Sequence, residues 1–232
     1  MARAESSTDR RDRGRPQLRP DDETRQIIYE AARHEFAAAG FAATSTETVA
    51  RRAGVSTKTL YRLVPNKAAL FEGMVSDRLD RFLSDFSLHV AEDADIEPGL
   101  NAALMACADL ALDPDVVALQ RIILQEAGQF PDLAAAFYRN GIVRTVTALS
   151  NWLRLQVKRG LIDLDNVEEA AGILIGMVAS APQRAAIFGG VPLPSRARIR
   201  ARVQKCVTLF LRGCQVNELL KSPNSRSRNS EL

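Results

Sequence analysis

Three chain breakers, Gly40, Gly54 and Pro65, cut the segment after residue 20 into one long piece and two very short ones. In the long piece Ile28, Ala31, Ala32, Phe36 and Ala39 recur at helical spacing along one face. It reads as a helix that Asp21 or Asp22 can cap and that Gly40 ends. "TSTE", Thr44 to Glu47, has capping-box spacing, with Thr44 accepting from the Glu47 amide, and opens a short second helix that runs to about Ala53. Ser56 caps a third helix, which Pro65 stops because proline supplies no amide donor and disfavours helical geometry in the residue before it. Asn66 caps a long fourth helix through about Phe86.

Beyond residue 86 the punctuation continues as "EDADIEPG", "LDPD", "GQFPD", "RGLIDLDN" and "GGVPLPS", separating segments that are helical in period. Alanine and leucine dominate and glycine is sparse, which favours helix over sheet. The expected fold is all-α, with nine to ten helices: a small N-terminal unit at residues 21–67 and a larger bundle at 68–214. Residues 1–20 and 215–232 are too polar to gain order by burial and are expected to be disordered. The longest uncharged apolar run, Ala170 to Pro182, is 13 residues, too short for a bilayer. The charged N-terminus has no apolar signal region, and three cysteines without a CxxC pair suit a reducing cytoplasm.

Two short helices joined by a tight turn set the second steeply against the first, and "TETVARRAGVSTKTLY" meets the demands of that geometry. Val49 and Leu60 supply the apolar contact, Ala50 is small where the helices approach, and Gly54 can take the positive φ of the turn. The exposed face of the second helix then carries Thr57, Lys58, Thr59, Tyr61 and Arg62, side chains that can read base edges or bind phosphate in a major groove. Helix starts at Thr46 and Lys67 would aim backbone amides at phosphate. The net charge of +3 conceals a division: residues 68–193 hold nine basic and seventeen acidic side chains, whereas residues 44–67 hold five cations against Glu47 alone. Such a patch suits a polyanion, although a solvated helix surface is the ordinary meaning of charge alone.

Residues 24–70 resemble the N-terminal domain of the Tet repressor (TetR) family of bacterial transcriptional regulators. The matching residues are Ala31-Ala32, Phe36, Gly40-Phe41, Thr44-Ser45-Thr46, Val49 through Ser56, Thr59-Leu60-Tyr61 and Asn66 through Phe71. The chain departs from the family pattern at Leu63-Val64, usually an aromatic or His followed by Phe, and at Lys58, commonly a small residue. The resemblance implies a homodimer that binds a near-palindromic operator, usually as a repressor, and releases it when a small molecule enters the C-terminal domain. By position it marks Thr46, Ser56, Tyr61 and Lys67 as phosphate contacts, and Thr57, Lys58, Thr59 and Arg62 as base or mixed readers. Ahead of the first helix, Arg13-Gly14-Arg15-Pro16 resembles the core of an AT-hook, whose arginines enter a narrow minor groove. A solvated arm is the alternative for so short a match.

In the second half, Phe82, Phe86, Met105, Phe130, Phe137, Tyr138, Trp152 and Met177 are candidate lining for an apolar ligand cavity, or plain core. Few charges fall among them, which points to an apolar or amphipathic effector. Gly172 and Gly176, with Ala179 to Ala181, would let another helix approach closely. With the helix from Arg196 to Cys214 they could form a four-helix dimer interface, or pack within one subunit. Pro182 should kink or end its helix. His34 and His89 have no partner at metal-ligand spacing, and no nucleophile elbow or phosphate loop appears, so neither catalysis, metal nor cofactor is expected. The alternative to a DNA-binding regulator is an all-α ligand-binding or interaction protein without sequence-specific DNA binding.

Overall fold

A computed structural model describes residues 19–89 and 95–214. The Arg13–Pro16 element and both expected disordered ends, save residues 19 and 20, lie outside the described residues. Those described form ten α-helices and one π turn, with no strand among them. The helices are α1 (Asp21–Ala43), α2 (Thr46–Arg52), α3 (Thr57–Leu63), α4 (Lys67–His89) and α5 (Ile96–Ala111). They continue with α6 (Pro114–Glu126), α7 (Pro131–Phe137), the π turn (Tyr138–Val143), α8 (Arg144–Lys158), α9 (Val167–Gly189) and α10 (Arg196–Cys214).

The punctuation acts much as its chemistry requires, with two corrections. Neither Asp21 nor Asp22 caps α1; the N-cap position is Pro20, whose carbonyl accepts from the Thr24 hydroxyl at 3.0 Å. The capping residue of α2 is Ser45 rather than Thr44, with Ser45 Oγ accepting from the Thr48 amide at 3.1 Å. Thr44 is buried and its hydroxyl is spent closing α1, donating to the carbonyls of Gly40 (2.7 Å) and Glu35 (3.1 Å). Gly40, at φ 82°, interrupts α1 as expected of a glycine, and a last turn, Phe41 to Ala43, follows it. Ser56 and Asn66 cap α3 and α4 through the amides of Thr59 and Ala69. α9 continues through Pro182 to Gly189, so the proline does not end it.

Two hydrophobic cores share α4. The first joins Ile28, Phe36, Val49, Leu60, Leu70 and Phe71 to Ile122, Ile123, Leu133 and Phe137 of α6 and α7. Aromatic rings knit it, with Phe41 set 5.8 Å from Phe71 and 5.1 Å from Phe130. Leu63 and Val64 are buried here, so the departure from the family's aromatic pair is taken up by packing. The second core holds Leu79, Phe82 and Phe86 of α4 with Leu104, Leu149, Leu153, Leu174 and Val207. The seam between the cores therefore falls inside α4, after Val75, and not at residue 67, because α6 and α7 fold back onto the N-terminal helices.

The uncharged run at Ala170–Pro182 is embedded in the 23-residue α9, which alone among the described helices has the length and composition to cross a membrane. Its buried residues, including Ala171, Leu174 and Val178, instead pack among α5, α6, α8 and α10. Cys107 lies at the centre of the second core, where burial pushes its thiol up to about 12. A thiol so placed has almost no thiolate at neutral pH. In the native protein a maleimide should leave Cys107 unmodified, and peptide mapping after unfolding in urea should show it labelled.

Candidate nucleic-acid interface and ligand cavity

The turn between α2 and α3 is built on Gly54, at φ 66°. A Cβ there would meet no atom within 4 Å, so the requirement is conformational and not steric. The Val55 amide donates to Ala50 O at 3.0 Å, and Val49, Ala50 and Leu60 are buried between the helices. With one face of α3 sealed in this way, Ser56, Thr57, Lys58, Tyr61 and Arg62 stand exposed together, and Thr59 is half-buried. Thr57 and Lys58 make no hydrogen bond or ion pair among the described residues; their polar groups face solvent.

The other expected contacts carry internal duties. Thr46 is buried, and its hydroxyl shares a 2.7 Å hydrogen bond with Tyr61 Oη. Tyr61 also donates to Glu47 at 3.4 Å. The Glu47 carboxyl is held below its ordinary range by its own backbone amide and the Ser45 hydroxyl, with Tyr61 adding to the effect. Arg62 makes a two-pronged ion pair with Asp21, both bonds 2.7 Å, which lowers the Asp21 carboxyl and ties α3 to the start of α1. Arg52 pairs with Glu35, whereas the neighbouring Arg51 is exposed without a partner among the described residues.

Lys67 differs most from its expected role. Its ammonium donates to three carbonyls at the end of α1, those of Phe41 (2.8 Å), Ala42 (3.1 Å) and Thr44 (3.0 Å). It also sits 4.6 Å from the centre of the Phe41 ring. The cation thus caps the C-terminus of α1, where the helix dipole favours positive charge. The side chain points into the domain, so as a phosphate contact Lys67 has only its backbone amide to offer.

A cavity of about 560 Å³ lies where the two cores meet, bounded by α1, α4, α5, α6, α8, α9 and the π turn. Of the eight side chains expected to line a ligand site, Phe137 alone does so. Phe82, Phe86 and Trp152 are core, Met105 and Met177 pack against that core, Phe130 stacks on Phe41, and Tyr138 is exposed. Large aromatics fill space; a void forms where side chains are short, here at Gly141, Gly172, Gly176 and Ala179. Within the chain the glycines of α9 consequently meet no other helix closely. Nothing would lie within 4 Å of a Cβ at Gly172, and at Gly176 only Ser180 of the same helix would. Tyr29 and Arg33 of α1 also reach the wall, a contribution from the N-terminal unit that the sequence did not suggest. A Cβ at Gly73 would overlap the Tyr29 ring, so glycine is what lets α1 and α4 meet beside the cavity.

Comparison with known proteins bears on both halves. Residues 28–74 match the family described as bacterial regulatory proteins, tetR family, and residues 98–214 match the C-terminal domain of AefR-like transcriptional repressors. A putative TetR-family transcriptional regulator from Mesorhizobium loti is 27% identical, with a TM-score of 0.74 over 85% of this chain and 99% of that one. The flavonoid-responsive regulator FrrA is also 27% identical, with a TM-score of 0.66 over 84% and 99% of the two chains. A TetR-family regulator from Pseudomonas syringae, 22% identical with a TM-score of 0.64 over 84% and 98%, shares the fold. No curated protein matches the chain at a significant level.

The inward duty of Lys67 is measurable. Lys67→Ala should lower stability in urea by about 1–3 kcal/mol, the usual cost of stranding part-buried polar groups. Unchanged stability with weakened DNA binding would return Lys67 to the phosphate contacts.

Proposed function

The chain belongs to the TetR family of bacterial transcriptional regulators, and from that premise we propose that it is a homodimeric, ligand-responsive repressor that binds a near-palindromic operator. The observation that carries the reading is the division of labour on α3. One face is sealed into the first core, and the other presents Thr57 and Lys58 with no internal partner among the described residues. Donors left free on a rigid helix are what base readout in the major groove demands. Ser56, Tyr61 and Thr46 then act around the phosphate backbone, Thr46 chiefly by holding the Tyr61 ring in place. Arg62 reaches DNA by exchanging the Asp21 carboxylate for a phosphate or a base edge. Thr59 completes the reading face. Arg13 and Arg15 extend the contact into the flanking minor groove. A DNA partner places the protein in the cytoplasm.

The second subunit is proposed to join through α9 and α10. Phe188 is 73% exposed and Leu209 64% exposed, and Ile173 and Val191 are also open to solvent. Large apolar side chains in such number on two helices and the segment between them suit a self-complementary interface. Dimerisation would set two copies of α3 about 34–36 Å apart, one turn of B-DNA. The cavity is proposed as the effector site. It touches α1 and α4 directly, so a ligand that prefers a different spacing of these helices lowers operator affinity by its differential binding to the two states. The response of FrrA to a flavonoid supports an effector of this general size and polarity.

Selection of bound fragments from genomic DNA should enrich a sequence with two-fold symmetry. The Lys58→Ala variant should enrich a different one at the positions facing residue 58; an identical preference would remove Lys58 from the readers. Operator affinity should also fall steeply with salt, as counterion release requires. The double variant Phe188→Asp, Leu209→Asp should sediment as a monomer and lose operator binding, while its circular dichroism stays helical.

A further inference from the structure

The side chains around the cavity define which effectors it can take, provided that the cavity is the effector site. Its guanidinium groups are all engaged already, by a larger number of carboxylates. Arg33 pairs with Asp115 and with Glu30, Arg78 pairs with Asp113 at 2.9 Å, and Arg81 pairs with Asp77. Asp113 is further engaged as the cap of α6, accepting from the amides of Asp115 and Val116. An anionic ligand would give up hydration and find no free cation among the lining residues; it could bind only by drawing a guanidinium away from a carboxylate already beside it.

The neutral polar groups around the same space have the opposite character. Gln183 Nε2 donates to the Ala111 carbonyl at 2.7 Å, which leaves its amide oxygen without a partner among the described residues. Thr145 donates its hydroxyl to Gly141 O at 2.8 Å, so its oxygen is left as an acceptor. Ser180 has no hydrogen bond among the described residues and lies one turn beyond Gly176 on the same wall. With the Tyr29 phenol and the Gln120 amide, which also reach the wall, these groups offer donors as well as acceptors: Ser180 keeps its hydroxyl proton and Gln183 its second amide proton, beside the apolar Val75, Leu119 and Ile175. A ligand bearing hydroxyls, which both donate and accept, satisfies them, and its apolar body fills the space beside the glycines.

We propose that the cavity selects a neutral, largely apolar molecule bearing one or more hydroxyl groups, and discriminates against carboxylates of the same size. Matched probes on the full chain test this: 4-hexylresorcinol and 4-hexylbenzoate, titrated calorimetrically at pH 7.5. Hexylresorcinol should bind at least about tenfold more tightly than hexylbenzoate, and Gln183→Leu should weaken it about tenfold, one hydrogen bond's worth. Gly176→Leu, or Gly172→Leu if the first does not fold, should abolish binding by filling the void. Hexylbenzoate binding as tightly as hexylresorcinol, or a wild-type protein that does not bind hexylresorcinol at all, overturns the neutral hydroxyl-bearing class. Binding that survives both filled-cavity variants in folded protein overturns the cavity as the effector site instead.

Discussion

The whole molecule hangs on one helix that must satisfy two cores at once. α4 contributes Leu70, Phe71, Met74 and Val75 to the N-terminal core and Leu79, Phe82 and Phe86 to the larger one. At about 1.5 Å per residue a helix of this length is a rod of roughly 34 Å, stiff enough to pass a displacement at one end to the other. Its first turn is anchored by Lys67 on the carbonyls that end α1, and its middle is clasped from two sides. Arg78 reaches Asp113 of α6, while Arg144 of α8 reaches Asp80 and Ser76. α4 thus belongs both to the core that seats Leu60 and Leu63 of α3 and to the wall of the cavity.

α6 supplies the second bracket. At its N-terminus Asp115 holds Arg33, and at its C-terminus the Glu126 carboxylate accepts from the Ala42 amide through both oxygens, at 2.9 and 3.1 Å. The bracket spans α1 from one end of the cavity to the turn that leads into α2. These surface ion pairs add little to stability one by one. Their value here is geometric, because they fix α6 against α1 at both ends of the core that the two helices share. Gly40 and Gly73 make the same contacts feasible: the first turns the chain under Glu126, and the second admits Tyr29 against α4.

The exposed face around α3 shows how few of its polar groups are free. Thr46, Tyr61 and Glu47 form one chain of hydrogen bonds, and Arg62 is held by Asp21. Holding side chains in place before the partner arrives lowers the entropy cost of binding. It also leaves Lys58 as the cation on α3 without an internal partner among the described residues.

Local chemistry was enough to read the helices, their caps at Ser56 and Asn66, the left-handed glycine of the turn and the exposed face of α3, because each depends on residues within a few positions of one another. Reading a cap one residue early, at Thr44, is the limit of that locality: Ser45 and Thr44 are both capping residues, and only the burial of Thr44 against the end of α1 decides between them. The cavity was not legible. Sequence reasoning looks for a ligand site in large apolar side chains, yet those are the groups that fill cores; a void is defined by absent volume, contributed by short side chains from helices far apart in the chain. The direction of Lys67 was likewise set by the end of α1, more than twenty residues away. The sequence by itself thus determined the helical class, the helix–turn–helix and its exposed donors. Tertiary structure alone decided where the cores divide, where the space lies and which charges are spent inside, since these depend on which distant surfaces meet.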